Sequence, residues 1–211
     1  MPSSEILMEE SPCHSSVKLC KQKSETLSKI IAEAVEEAVS KTKEKYDGEI
    51  ATLKSTVRSL EKQVNALEQY DRRLNLVIHG IKESDGEDCD KLALNLFLNK
   101  VKVPMSATDI QRSHRLGAPR RNGQSRPIIV RFVSYKTRRE VLVRKKILKE
   151  SDPHVTITEN LTRANLELFH LARNSGFFER VWTRDGSIFA LSNRGVVKIS
   201  SPEDMDRYSS K

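Results

Sequence analysis

Between Ile50 and Leu74 the apolar residues recur in steps of three and four: Ile50, Leu53, Val57, Leu60, Val64, Leu67 and Leu74, with Asp71 in one of the places. This is the 3.5-residue repeat of a helix that meets other helices along a narrow seam. With Ile50 at heptad position a, Val57, Val64 and Asp71 share a, and Leu53, Leu60, Leu67 and Leu74 share d. Arg58, Ser59, Lys62, Asn65 and Gln69 fill positions b, c and f. So narrow a stripe between polar flanks suits a second copy of the same helix better than the flank of a domain. Tyr46 and Val39 carry the d row backwards. An upstream stripe of Leu27, Ile31, Ala34 and Ala38 is out of phase, which predicts a register shift over residues 39–46, with Gly48 weakening the junction. The coiled coil is expected over 26–73. Residues 1–25 are rich in Ser, Lys and Glu without a period, and are expected to be a disordered tail.

After the seam the period changes from 3.5 to two. Leu74–Ile81 reads as a strand closed by Gly80, and the acidic turn Glu83–Asp88 comes next. A helix is predicted over 88–101, ended by Pro104. A second strand is expected at 109–116, a basic loop at 117–125, a third strand at Arg126–Ser134, a basic amphipathic helix at 135–150 and a fourth strand at 154–159. That order, βαββαβ over 74–160, is the order of the ferredoxin-like split βαβ sandwich. Residues 161–211 predict a small α/β lobe: a helix packing through Leu166, Leu168, Phe169, Leu171 and Ala172, an Asp185-Gly186 hairpin, one more strand and a short final helix. The fold class expected is α+β.

Alternation decides which strand faces are wet. Ile128, Val130 and Phe132 share one face of the third strand, and Ile129, Arg131 and Val133 the other. In the first strand Leu76 and Ile78 point inward, Val77 and His79 outward. The first and third strands are neighbours in this topology, so Arg131 and His79 are expected on one open face. A guanidinium there can stack on a base and bond a phosphate.

Charge sharpens this picture. The chain has net charge +8, with 31% charged and 37% hydrophobic residues. Residues 100–150 hold 15 Lys and Arg against three acids, an excess of +12, which leaves −4 for the remainder. The candidate contacts for a polyanion are Arg112, Arg115, Arg120, Arg121, Arg126, Arg131, Arg138 and Arg139. Aromatic residues are only 5%, so stacking by rings should contribute little, and phosphate contacts should make binding salt-dependent and tolerant of sequence. Three scattered cysteines, Cys13, Cys20 and Cys89, give neither a disulfide framework nor a zinc site, and point to a reducing intracellular compartment, cytoplasmic or nuclear. No run is apolar enough to cross a bilayer. No phosphate-binding glycine loop, nucleophile elbow or metal-ligating histidine pair is present, so the expectation is a binding protein without cofactor or metal rather than an enzyme.

Taken in order, Arg73–Ile81, Glu83–Glu87, Asp109–Gly117, Arg126–Phe132 and the lobe from Leu161 resemble the first open-reading-frame protein of LINE-type retrotransposons. The chain is equally similar to the baculovirus few-polyhedra (FP) protein and its insect relatives, above all in residues 155–211. The resemblance covers about residues 46–211. It implies a coiled-coil homotrimer, a non-typical RNA-recognition-motif domain and a C-terminal lobe that together bind single-stranded RNA or DNA and act as a nucleic-acid chaperone. The contact residues it implies are Arg112, Arg115, Arg120, Arg121, Arg126 and Arg131. Seam chemistry alone, β-branched residues at a and leucine at d, favours a dimer. Val77, Ile129 and Arg131 stand where ordinary RNA-recognition motifs carry aromatic rings. A second reading is a scaffolding protein, like the viral relative, whose basic face meets an acidic protein.

Overall fold

The structure, a computed structural model, describes residues 12–118 and 124–209, the side chains of 12–19 excepted. The chain divides into two units after Glu61. The first is helical. Its helix, α1 (Pro12–Arg72), starts earlier than the sequence predicts and takes in residues 12–25 of the expected tail, whose residues 1–11 lie outside the described residues. Pro12 suits the first helical position, where no amide hydrogen is needed. Gly48 does not interrupt α1, and the Thr52 hydroxyl bonds its carbonyl at 3.0 Å.

The second unit is mixed helix and strand, the α+β class expected. Four antiparallel strands, β1 (Asn75–His79), β2 (Ile110–Arg115), β3 (Ile128–Phe132) and β4 (Thr156–Glu159), lie in the order β2-β3-β1-β4. Between β1 and β2 run α2 (Cys89–Asn95), capped by the Asp88 carboxylate on the Lys91 amide, and a π-helical turn, Leu96–Lys100. Between β3 and β4 lie α3 (Tyr135–Arg144), a 3-10 turn and α4 (Leu148–Ser151). Leu76, Ile78, Ile128, Val130 and Phe132 project from one face and are fully buried with Phe97, Val101, Val103 and Val141. Phe97 and Phe132 meet with centroids 5.5 Å apart. Gly80 ends β1 at φ +90°, and a Cβ there would collide with the His154 carbonyl, so only glycine fits.

The last 50 residues add α5 (Arg163–Asn174), a three-stranded antiparallel sheet of β5 (Arg180–Arg184), β6 (Ser187–Ser192) and β7 (Gly195–Ile199), and α6 (Glu203–Ser209). Asp185 (φ 52°) and Gly186 (φ 78°) make the turn between β5 and β6, as an Asp-Gly pair should. Ile188, Ala190 and Ile199 pack against Ala172, Leu168, Phe169 and Met205. Leu166 and Leu171, expected to pack, are 44% and 49% exposed: they fall on the far side of α5.

Two polar nodes tie these pieces together. Gln69, near the end of α1, accepts from the Thr162 amide at 2.9 Å and from Asn165 Nδ2 at 3.1 Å, and donates to the Asn160 carbonyl at 3.1 Å. This fixes the N-terminus of α5, where the Thr162 side chain caps. The second node is buried. Arg138 of α3 donates to Glu159 at 2.6 Å and to Asp185 at 3.0 Å, with Arg138 and Glu159 side chains 2% exposed. Glu159 also accepts from the Asp185 amide at 2.9 Å, so one carboxylate binds both the helix and the hairpin turn.

Removing one partner of a buried pair strands the other charge, at about 3–5 kcal/mol. Arg138→Ala should lose that much unfolding free energy in urea titration. Arg139→Ala, one residue on but exposed, should stay within about 0.5 kcal/mol.

Candidate nucleic-acid interface

Register places every candidate arginine of the first sheet. Arg112 of β2 lies opposite Arg131 of β3, which lies opposite Asn75 of β1. His114, Ile129, Val77 and Thr158 form the next row on the same face. This is the face turned away from the core helices, and His79 bonds Thr158 Oγ1 on it at 3.1 Å. Arg131 does reach this side, but it is not a free cation. It grips Asp71 with two bonds, of 2.9 and 3.2 Å, and Gln111 at 3.1 Å. The Arg131 guanidinium holds the Asp71 carboxyl below the usual range. The acid at seam position a thus has a partner in β3.

Arg115 is a correction. Expected around the open face, it lies opposite Ile128, on the core side, and is 9% exposed. The ladder is irregular between Ile110 and Arg112, and such a bulge shifts the parity of the strand residues beyond it. All five donors of Arg115 are used: two meet the Glu87 carboxylate at 2.5 and 2.9 Å, and three meet the carbonyls of Ile81, Lys82 and Arg126. None remains for a phosphate.

Arg126 and Arg138 are corrected likewise. Arg126 forks onto Glu83 and donates to the Gly117 carbonyl at 2.8 Å. Arg138 sits in the buried node described above. Arg112 and Arg139 are exposed, and no ion pair holds either among the described residues. Arg120 and Arg121 lie outside the described residues, as does the side chain of Cys13.

Folding therefore changes the charge that a ligand meets. Six acids from outside the basic segment, Asp71, Glu83, Glu87, Asp152, Glu159 and Asp185, come to its cations. Against an excess of +12, six negative charges leave +6.

The seam residues stand uncovered. Ile50, Leu53, Val57, Leu60, Val64 and Leu67 are 46–71% exposed. Among the described residues no helix is long and apolar enough to cross a membrane, and no three His, Cys, Asp or Glu side chains converge as metal ligands.

Register also brings together residues that composition hides. Trp182, Phe189 and Lys198 lie side by side across β5, β6 and β7, on the sheet face opposite the packed Ile188, Ala190 and Ile199. The signal in the sequence was the alternation of Arg180, Trp182 and Arg184 into the predicted hairpin, whose first run was expected to begin one residue later, at Val181. No known protein-family model matches the chain, and no curated protein matches it.

The two outer ion pairs make stability depend on pH. Glu83 is lowered from 4.5 to about 2, first by the hydrogen bond from the Arg126 side chain, and Glu87 is lowered by that from Arg115. Lowered acids stabilise the fold fully above their unfolded values, and that contribution drains as the pH falls towards the folded ones. Urea midpoints should fall from pH 4.5 towards 2. The Glu83→Gln variant should begin lower and fall less steeply.

Proposed function

We propose that this chain is a self-associating protein that holds single-stranded nucleic acid with little sequence preference, acting as a chaperone rather than an enzyme. The observation that carries the reading is the charge left after folding. A basic segment that surrenders half its excess to internal ion pairs still presents +6, with Arg112 exposed on β2 and Arg139 exposed on α3. The Arg131–Asp71 pair belongs to the same face. Exposed ion pairs contribute only about 0–1 kcal/mol, so a phosphate can take the place of Asp71 at little cost.

We read the order βαββαβ with sheet order β2-β3-β1-β4 as the ferredoxin-like arrangement, and α1 as a coiled coil. No Phe, Tyr or Trp of its strands stands on the outer face of this sheet, where the buried Val77 and half-buried Ile129 occupy the central row. Its grip is therefore on backbone phosphates, which favours breadth over readout. The uncovered seam joins two or three copies: its side chains favour two and the family resemblance three. Linking copies multiplies weak sites, so avidity supplies what each face lacks.

Light scattering of the full chain should give a multiple of 24.0 kDa. The double variant Leu53→Lys/Leu60→Lys should run as a monomer and bind long oligothymidylate about 100-fold more weakly. A monomeric wild type, or a wild type that leaves the oligonucleotide free at low salt, would sink the proposal.

A further inference from the structure

The outer face of the C-terminal sheet is built unlike the first sheet. Trp182 and Phe189 are neighbours in register and nearly parallel, their centroids 6.2 Å apart and their planes at 19°. Both rings are half-buried, although the core of the lobe lies on the other face. Arg180 lies over the Trp182 ring, its Cζ 5.6 Å from the centroid, and Arg184 over Phe189 at 4.8 Å. Lys198 completes the row beside Phe189 and is exposed. Among the described residues none of these three cations has an ion pair. Asp185, the acid at the neighbouring turn, is occupied by Arg138 and Tyr135. The arginines of the first sheet are largely committed to carboxylates; those of this face rest only on rings.

A cation over a ring can simply close off an aromatic surface, at about 0.5–1 kcal/mol for an exposed pair. Three observations favour a ligand. The face carries three positive charges and no acid among its strand residues. Trp182 stands between Arg180 and Arg184 along β5, and Phe189 lies between Trp182 and Lys198 across the sheet, so stacking surface and phosphate-binding groups are interleaved. Its length, roughly 13 Å from Arg180 to Arg184 at the usual rise of a strand, fits about two unstacked nucleotides.

We infer that this face is a stacking platform for the unpaired bases of a single strand, with Trp182 and Phe189 as the base-bearing rings and Arg180, Arg184 and Lys198 as the phosphate contacts. It rests on the single-strand reading above and gives that reading a second site of different character. Every base has a π face, so such a platform adds affinity without demanding a sequence. Duplex bases are already stacked and cannot use it.

Trp182 is the chain's single tryptophan, so its emission reports this face alone. The full chain is titrated with labelled oligothymidylate and with an abasic strand of equal length, with both the label's anisotropy and the tryptophan emission recorded. Thymidylate should quench Trp182 and the abasic strand should not, although both carry the same phosphates. Trp182→Ala should weaken thymidylate binding about tenfold, from the ~1–3 kcal/mol that each stacked base contributes, and Trp182→Phe should restore most of the loss. Binding that leaves the emission unchanged, or a Trp182→Ala protein with wild-type affinity, overturns the platform while leaving the single-strand reading standing. Anisotropy that moves for neither strand overturns both.

Discussion

A guanidinium buried to 1% exposure is costly unless carboxylates meet it, and Arg138 is met by two. Glu159 projects from the core face of β4, in the row of Leu76, Val130 and Ser113, where an aliphatic residue would ordinarily stand. Its charge is tolerable there because Arg138 reaches down from α3 and the Asp185 amide from the hairpin turn. Helix, sheet and C-terminal turn are thus held to one carboxylate. Hydrophobic packing alone would let the small C-terminal core slide against the larger one, whereas an ion pair in low dielectric tolerates one geometry.

The same economy runs through the basic segment. Arg115 spends four donors on the loop after β1 and the fifth on the Arg126 carbonyl, and the Arg126 side chain joins Glu83 to Gly117. Arginine suits this work because its planar fork meets carboxylates and carbonyls together. For the proposed function this implies a division of labour. Committed arginines build the frame, and the exposed cations, Arg112 and Arg139 beside the first sheet and Arg180, Arg184 and Lys198 on the C-terminal sheet, are those the proposal gives to a ligand. The proposed multiplication through the seam would then make a modest set of contacts per copy sufficient.

Local patterns were legible in the sequence and distant ones were not. The 3.5 repeat located a row of exposed apolar residues on one helix because every member lies within a few residues of the next. Alternation placed Ile128, Val130 and Phe132 inside correctly for the same reason. Arg115 was placed among the ligand contacts by its charge, and its position opposite Ile128 follows from one irregularity between Ile110 and Arg112 that composition does not announce. The fates of Arg126 and Arg138 depended on Glu83, Glu159 and Asp185, which lie 21 to 47 residues away. Charge counted along the chain cannot see such partners. The aromatic fraction misled in another way: a sheet sets two rings side by side, enough for the proposed platform, and an average over 211 residues conceals them.

The proposal holds that arginines that frame the fold and arginines that face a ligand are separate sets, and the salt dependence of single-strand affinity tests that division most directly. Each phosphate contact on a single strand contributes about −0.7 to the slope of log affinity against log salt concentration. The full chain should bind oligothymidylate with a slope of several such units. Arg112→Ala and Arg139→Ala should each flatten the slope by about 0.7, and Arg115→Ala, assayed where it remains folded, should leave it unchanged. A flattened slope in Arg115→Ala together with a wild-type slope in the other two would contradict the division.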